Sequence, residues 1–330
     1  MIDDLDLAIL EQLQDDGRRS LRRIAAQVGV APATVRTRFQ QLIADEVIEI
    51  VAVPNPARLH IGFHAVVFLR HQAGATQAVS DLLVSHRETA WVGVFVTGCE
   101  TMCEVVAADA NDFLRYREEV LSALPGITQI DVALLTDVLK MRYRLGRSSE
   151  ISHNDAVVTR QTSSSGQQWH QPESLPDELD LSILEQLEGD GRRSFADIGG
   201  SLGVATATVR SRIQRLITDD MVQIVAVPDP WKVGLGFIAT VALWVEDGCE
   251  AEAARLLCER EEVCWVGVTV STCDVICTVW LRDTEEYQRY RDDVLTKLPG
   301  FRDVKLFVTA RIPKVHYHLP TVIPRISSAP

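Results

Sequence analysis

Apolar residues in the first part of the chain recur at helical spacing and predict three short helices, the first over residues 4–14. Their apolar stripes are, in chain order, Leu5, Ile9, Leu10 and Leu13; Ile24, Ala25 and Val28; and Val35, Phe39, Leu42 and Ile43. Gly29 supplies a tight turn before the third helix, and Pro32 stands at its start, where a missing N–H is harmless. The β-branched run 47–53 predicts a strand that Pro54 ends. This order is typical of a helix-turn-helix unit closed by a strand.

The next region changes to a mixed pattern of strands and helices. Strands are predicted at 63–70, 91–97, 102–107 and 127–135, and helices at 75–87 and 111–121. A short turn over residues 98–101 joins the two middle strands. The order strand, helix, strand, strand, helix, strand indicates the split βαβ, or ferredoxin-like, arrangement.

The whole pattern occurs twice. LDLAILEQL at residue 5 returns as LDLSILEQL at residue 179, and LPG at residue 124 returns at residue 298, so the offset is 174 residues in both cases. The second copy has its last strand predicted at 301–311. The duplication suggests a dimer written into one chain. The predicted fold class is α+β, with two winged-type helix-turn-helix domains and two ferredoxin-like (βαββαβ) domains related by a pseudo-two-fold axis.

The duplication and the composition together predict six divisions of the chain. They are 1–54 and 175–228 for the helix-turn-helix domains, 55–145 and 229–319 for the ferredoxin-like domains, 146–174 for a linker and 320–330 for a tail. The linker is rich in Ser and Gln and, as a flexible coil, would span roughly 30 Å. Tethered halves meet at about millimolar effective concentration, which favours pairing within the chain.

Composition is that of an ordinary globular chain, with 46% hydrophobic and 24% charged residues. No apolar run is long enough to span a membrane, and the acidic start MIDDLDLAIL lacks the basic and apolar parts of a secretion signal, so a cytoplasmic protein without membrane contact is expected. The net charge of −13 argues mildly against nucleic acid. Arginines nevertheless cluster within the two helix-turn-helix regions, and a local basic face can still bind phosphate.

The third helix of each unit carries the candidate DNA contacts, because a helix that turns Arg, Thr and Gln outward can lie in the major groove. The candidates are Thr34, Arg36, Thr37, Arg38 and Gln41, with Arg22 and Arg23 on the preceding helix, and Thr208, Arg210, Ser211, Arg212 and Arg215 in the second copy. Arg18 and Arg19 are either further phosphate contacts or solvated surface residues. Because Ala196 and Asp197 replace Arg22 and Arg23, the first copy is expected to bind DNA more strongly.

Seven cysteines in a chain without an export signal indicate reduced thiols. Cys99 and Cys103 match Cys273 and Cys277 across the repeat, and residues four apart on a strand share a face. A thiol pair for a metal is conceivable, but neither a CxxC motif nor a nearby histidine supports it. We expect packed thiols, no metal and no cofactor.

These features together resemble the Lrp/AsnC family of transcription regulators, and the resemblance covers each half almost end to end. The residues that carry it are LDLAILEQLQDDGRRSLRRIAAQVGVAPATVRTRFQQLIADEVI, the IVAVPNP segment, and the strand–helix unit that ends in LPGI. The resemblance implies a DNA-binding regulator whose ferredoxin-like domain dimerises and binds a small effector, usually an amino acid. Family dimers often assemble further. The usual member has one unit per chain, so the tandem form departs from the pattern.

A second departure lies in the turn between the middle strands, which in the family lines the effector site. Family members carry threonine-glycine, an aromatic residue and an aspartate there, whereas this chain has TGCET in the first copy and STCDV in the second. The effector candidates carried over are Gly98, Cys99, Glu100, Thr101, Thr272, Cys273 and Asp274. Glu100 and Asp274 are the groups that could meet an ammonium ion.

The main prediction is therefore a sequence-specific regulator, not an enzyme, with double-stranded DNA and a small effector as partners and further homo-oligomers of the paired chain. One alternative is an enzyme similar to sirohaem decarboxylases, which share this scaffold. That chemistry needs histidine or arginine on a tetrapyrrole pocket, yet His60 and His64 match Gly234 and Ile238. Another alternative is an effector-binding oligomer that binds DNA weakly.

Overall fold

The computed structural model describes residues 2–55, 59, 62–141 and 175–315, which contain ten α-helices, two short 3-10 helices and ten strands. The first copy comprises α1 (Asp4–Asp15), α2 (Leu21–Val28), α3 (Pro32–Ala44), β1 (Ile48–Pro54), β2 (Phe63–His71), α4 (Thr76–Ser85), β3 (Thr89–Phe95), β4 (Thr101–Ala107), α5 (Ala110–Glu119) and β5 (Ile127–Met141). The second copy comprises α6 (Glu178–Glu188), α7 (Phe195–Leu202), α8 (Thr206–Thr218), β6 (Val222–Pro228), β7 (Phe237–Val245), α9 (Glu250–Cys258), β8 (Val263–Val270), β9 (Val275–Leu281), α10 (Thr284–Asp293) and β10 (Phe301–Val315).

The chain folds as two units, each built from both copies. The described residues of the head unit are 2–55 and 175–236, and those of the barrel unit lie within 59–141 and 237–315. The predicted linker 146–174 and tail 320–330 lie outside the described residues. The six-part division of the chain stays a prediction, whereas the mixed α+β fold with its repeated units is confirmed. No helix in the described ranges is long and apolar enough to cross a bilayer.

Local sequence explains the helices of the head unit. The Asp3 carboxylate caps α1 by accepting the backbone N–H of Asp6. The Asp6 carboxylate in turn accepts the backbone N–H of Asp3, which completes a capping box. Gly29 ends α2 at φ 73°, a left-handed conformation that glycine adopts without strain. The prediction that Ile43 faces inward is wrong: its side chain is 39% exposed, because Leu42 takes the buried position of that turn.

Within the head unit, the first and second copies are joined by a two-stranded antiparallel ribbon of β1 and β6. Val51 lies opposite Val225, its own equivalent in the repeat, so the pseudo-two-fold axis passes through this pair. Gly17 donates its N–H to the Ile224 carbonyl at 2.7 Å, and Gly191 does the same to Ile50 at 2.8 Å. A Cβ on Gly17 would lie 2.9 Å from that Ile224 oxygen, so the close approach requires glycine.

The barrel unit is a closed antiparallel barrel with strand order β10-β3-β4-β2-β5-β8-β9-β7. β5 pairs with β2 through its first half and with β8 of the other copy through its second half, from Leu134 to Met141. β10 behaves in the same way toward β7 and β3. The predicted strands 127–135 and 301–311 end too early, because β5 continues to Met141 and β10 to Val315. These additional residues pair only with strands of the other copy.

On each helix-covered side of the barrel, a lysine from one copy binds the C-terminal end of a helix from the other copy. The Lys140 ammonium donates to the carbonyls of Cys258 and Arg260 at 3.0 and 2.7 Å, at the end of α9. Lys314 donates to the carbonyls of Val84 and His86 at 3.1 and 2.8 Å, at the end of α4. A cation at a helix C-terminus is favoured by the helix dipole, so the two lysines link the copies reciprocally.

The β2–β4 strand pair of the first copy differs from the equivalent β7–β9 pair of the second copy. His64 Nε2 lies 2.6 Å from Glu104 Oε1, and both side chains are less than a tenth exposed. The equivalent positions hold Ile238 and Thr278. The duplication has therefore diverged here, where one copy buries a histidine–carboxylate pair and the other has a buried isoleucine beside a half-buried threonine.

Candidate nucleic-acid interface

The third helix of each copy presents a polar face away from the head core. Val35 and Leu42 of α3 are buried, as are Val209, Ile213 and Leu216 of α8. The exposed predicted residues are Thr34, Arg36, Thr37 and Gln41 in the first copy and Arg210 and Ser211 in the second, with Thr208 half-buried. These six side chains are exposed as predicted, and their contact with DNA stays a prediction.

One neighbouring polar position was missed by the sequence reasoning. Gln40 and its equivalent Gln214 are exposed, four residues after Arg36 and Arg210. A shallow concavity on α8 is lined by Thr206, Ala207, Arg210, Ser211 and Gln214. The signal that could have found Gln40 is the spacing of four residues, which places two side chains on one helix face.

Three predicted DNA contacts are instead paired with the acidic starts of α1 and α6. Arg38 lies 2.8 Å from Asp3 and 3.2 Å from Asp6. In the second copy Arg212 pairs with Asp177 and with Asp180, and Arg215 also pairs with Asp180. The hydrogen bond that Arg212 donates to the Asp177 carboxylate raises the pKa of Arg212. These arginines fix the third helix to the first helix of their own copy, so their DNA contacts stay a prediction.

The second helices differ in charge between the copies. Arg22 and Arg23 on α2 are exposed and form no ion pair with any residue that the structure describes. Their equivalents on α7 are Ala196 and Asp197, also exposed, and Ser194 donates its hydroxyl to the Asp197 carboxylate at 2.6 Å. The first copy therefore carries two cations where the second copy carries one anion.

Arg18 is half-buried between the two copies, which corrects the expectation of a solvated surface residue, and a phosphate contact for it stays a prediction. Its guanidinium donates to the carbonyls of Gly191 and Arg193 at 2.7 and 2.9 Å and lies 4.2 Å from the centre of the Phe195 ring. Arg192 mirrors this contact by donating to the Arg19 carbonyl at 3.1 Å. Burial lowers the pKa of both Arg18 and Arg192. These arginines join the two copies of the head unit.

The turn residues proposed for the effector are engaged by neighbouring protein groups. The Glu100 carboxylate accepts the backbone N–H of His71 at 3.3 Å, and Asp274 accepts that of Val245 at 2.9 Å. Arg70 donates to the Gly98 carbonyl at 2.7 Å. A side chain on Gly98 would collide with the Phe307 ring. The two acids therefore already have hydrogen-bond donors.

The remaining turn residues are packed or hydrogen-bonded as well. Thr101 Oγ1 lies 3.0 Å from His71 Nε2, and Thr272 donates its hydroxyl to the Val132 carbonyl at 2.7 Å. Cys99 and Cys273 are buried. The turn of each copy thus contributes to joining the barrel, and an amino-acid site there stays a prediction.

Six of the seven cysteines are buried, and burial raises the pKa of their thiols. Burial raises the pKa of Cys99 to about 12 and that of Cys273 to about 11, and it raises the pKa of Cys103 and Cys277 further. No cluster of three or more His, Cys, Asp or Glu side chains that could hold a metal occurs among residues 2–55, 62–141 and 175–315. Cys249 is the half-buried cysteine of the set.

We expect one cysteine of the native chain to react quickly with Ellman's reagent at pH 8 and to release one equivalent of nitrothiobenzoate from the reagent. Only a thiolate attacks the reagent's disulfide, and a raised pKa keeps the buried thiols protonated. All seven cysteines should react after denaturation in guanidinium. Cys249→Ser should abolish the fast phase. Rapid reaction of two or more thiols, or protection of a pair by Zn²⁺, would contradict packed, inert cysteines.

The comparisons with known proteins match this geometry. The AsnC-type helix-turn-helix domain matches residues 2–43 and 177–217, which cover both helix-turn-helix units. A helix-turn-helix transcriptional regulator of Pyrococcus furiosus, described as uncharacterized, is 31% identical over 142 residues, which is 43% of this chain and 96% of that protein. The chain belongs to the Lrp/AsnC family. Because a whole relative spans less than half of the chain, this Lrp/AsnC protein carries two family units in tandem.

Other relatives and one solved structure extend the comparison. A helix-turn-helix transcriptional regulator of Methanocaldococcus jannaschii is 28% identical over 136 residues, covering 41% of this chain and 92% of that protein. The crystal structure of a siroheme decarboxylase matches with a TM-score of 0.60 and 12% identity, covering 94% of this chain and 92% of that chain. At that identity the match shows a shared fold only. The tandem Lrp/AsnC arrangement thus has a structural counterpart that extends over both copies.

Proposed function

We propose that this chain is a sequence-specific DNA-binding transcriptional regulator whose recognition helices are α3 and α8. The observation that carries the proposal is a pair of equivalent, exposed arginines, Arg36 and Arg210, on third helices whose copies are joined by the β1–β6 ribbon. Neither arginine forms an ion pair with a described residue. Both guanidinium groups are therefore available to a ligand.

The chemistry of these side chains suits base recognition. Arginine presents two parallel donors that match the O6 and N7 acceptors of guanine in the major groove. Thr37 and Ser211 follow the arginines and can donate or accept at a neighbouring base or phosphate. The pseudo-two-fold relation of the two copies suggests an operator with two inverted half-sites.

The test selects 30-bp duplexes from a random library with the wild-type chain and measures their affinity for variants. Arg36→Ala and Arg210→Ala should each weaken binding roughly 5–150-fold, because a good bidentate contact contributes about 1–3 kcal/mol of discrimination. Arg115→Ala, an exposed arginine of the barrel unit, is the matched control and should change affinity less than twofold. If no duplex is enriched, or if all three variants bind alike, the proposal fails.

We further propose that a small effector, an amino acid by family resemblance, modulates this binding and that paired chains associate further. The proposed site is the turn of each copy, where Glu100 and Asp274 supply carboxylates. Because both carboxylates already accept backbone N–H groups, an effector must share or displace those hydrogen bonds. A thermal-shift screen of amino acids tests binding, since a ligand of the folded state raises the melting temperature. Light scattering with and without ligand tests association.

A second candidate is an enzyme acting on a tetrapyrrole, favoured by the likeness to a siroheme decarboxylase that extends over 94% of the chain. The buried His64 is the group that such a reading would use. Titration with an iron porphyrin separates the two candidates. We expect no shift of the porphyrin absorption band for the regulator, whereas a saturable shift that is lost in the folded double variant His64→Ile/Glu104→Thr would favour the enzyme.

A further inference from the structure

The head unit contains two heads, the first formed by α1–α3 and the second by α6–α8. The two heads present nearly the same base-reading surface. Exposed residues of α3 include Ala33, Arg36, Thr37 and Gln40, and their exposed equivalents on α8 are Ala207, Arg210, Ser211 and Gln214. The two sets differ by one methyl group, at Thr37 and Ser211. Outside these four positions the helices differ, since exposed Gln41 corresponds to the half-buried, ion-paired Arg215. Both third helices begin after an uncharged alanine N-cap in extended conformation. Equal chemistry at equal positions means that the two heads favour similar bases.

The phosphate-facing charge of the heads is unequal. The unpaired exposed cations of α2 and α3 are Arg22, Arg23 and Arg36, counted among residues 2–55 of the head unit. Across α7 and α8 the exposed cation without an ion pair in the described second copy is Arg210, and Asp197 adds an anion. Arg18 and Arg192 do not compensate, because both are used to join the copies.

Two details of the second helices hold this difference in place. Ser20 caps α2 by accepting the backbone N–H of Arg23, which leaves both arginine side chains exposed on the first turn. Ser194 caps α7 in the same way, and its hydroxyl also binds the Asp197 carboxylate. A fixed carboxylate on the first turn of α7 repels a phosphate where the first head attracts one.

We propose, building on the proposed function, that the first head is the anchor on DNA and that the second head reads bases without a phosphate grip of its own. Arg22 and Arg23 on one side, and Ala196 and Asp197 on the other, decide which head is the anchor. A duplex that is long enough for a single head is therefore bound through the first head. The second head engages only when the DNA extends to it.

The experiment uses 12-bp and 30-bp duplexes, cut to one half-site and two half-sites from the sequence that the wild-type chain selects. On the short duplex, Arg36→Ala should reduce affinity at least tenfold and Arg210→Ala less than twofold. On the long duplex both variants should lose affinity. Arg22→Ala/Arg23→Ala should lower the salt dependence of binding to a mixed-sequence 30-bp duplex by about two phosphate contacts.

A charge-swap variant, in which the charges of α2 and α7 are exchanged, supplies the matched control. It combines Arg22→Ala, Arg23→Asp, Ala196→Arg and Asp197→Arg, so that the net charge stays the same and the anchor moves to the second head. On the short duplex this variant should now depend on Arg210 and not on Arg36. All four positions are exposed, and a circular dichroism melt shows whether the variant folds. If it does not fold, the Arg22→Ala/Arg23→Ala variant still tests the salt dependence.

The outcomes separate the two proposals. If the wild-type chain binds neither duplex, the proposed function fails. If it binds both but Arg36→Ala and Arg210→Ala lose affinity equally on the short duplex, the anchor assignment is overturned and DNA binding stands. Unchanged salt dependence in Arg22→Ala/Arg23→Ala would also overturn the assignment.

Discussion

Replacing His64 with isoleucine is expected to lower the free energy of unfolding by about 3–5 kcal/mol, because it leaves the Glu104 carboxylate buried without its imidazole partner. The two atoms lie 2.6 Å apart, and the side chains are 7% and 8% exposed. Urea unfolding followed by tryptophan fluorescence measures the change. The loss reflects an uncompensated charge rather than a lost contact, since isoleucine fills the space with apolar atoms.

The chain provides the control for this prediction. His64→Ile combined with Glu104→Thr installs the residues that the second copy has at Ile238 and Thr278. This double variant should unfold within about 1 kcal/mol of wild type, because replacing a whole buried ion pair by neutral residues is often neutral or stabilising. A double variant as unstable as the single one would show that the pair is needed for more than mutual neutralisation.

Arg18→Ala is expected to lower the free energy of unfolding by about 2–4 kcal/mol, since it removes two hydrogen bonds from a charged donor across the copies. The carbonyls of Gly191 and Arg193 would lose donors at 2.7 and 2.9 Å, and the Phe195 ring would lose its stacked cation. Denaturant unfolding monitored by circular dichroism measures the effect.

Arg22→Ala, four residues further on, is the matched control and should change stability by less than about 0.5 kcal/mol, because its side chain is exposed. DNA affinity should show the reverse order on protein confirmed to be folded, with a larger loss for Arg22→Ala. Equal stability of the two variants would mean that Arg18 does not hold the copies together.

Repeats and helical periods predicted much of the head unit. The turn at Gly29 and the third helix, which begins at Pro32, lie where short-range spacing indicated. Arginine roles were harder to predict, because spacing shows which side of a helix a residue occupies and not what approaches it. Arg36 and Arg38 lie two positions apart, yet one is exposed and the other is paired with Asp3 and Asp6.

The repeat itself carries a signal for the roles of the arginines. Arg18 and Arg192 are the same residue in both copies and both join the head unit, whereas Arg22 and Arg23 lack arginine counterparts. An interface on a pseudo-two-fold axis needs the same group twice, because each copy meets the other through equivalent surfaces.

Local order along the chain was enough to define the tandem family units, their helices and the beginnings of their strands, because hydrophobic period, caps and turns act over a few residues. Tertiary structure alone decided how the copies combine. The ends of β5 and β10 become strands only by pairing with the other copy, and Arg18 is buried only because Gly191 and Arg193 approach it. These contacts join residues more than a hundred positions apart, and no short-range pattern records which distant backbone a strand edge or a guanidinium will meet.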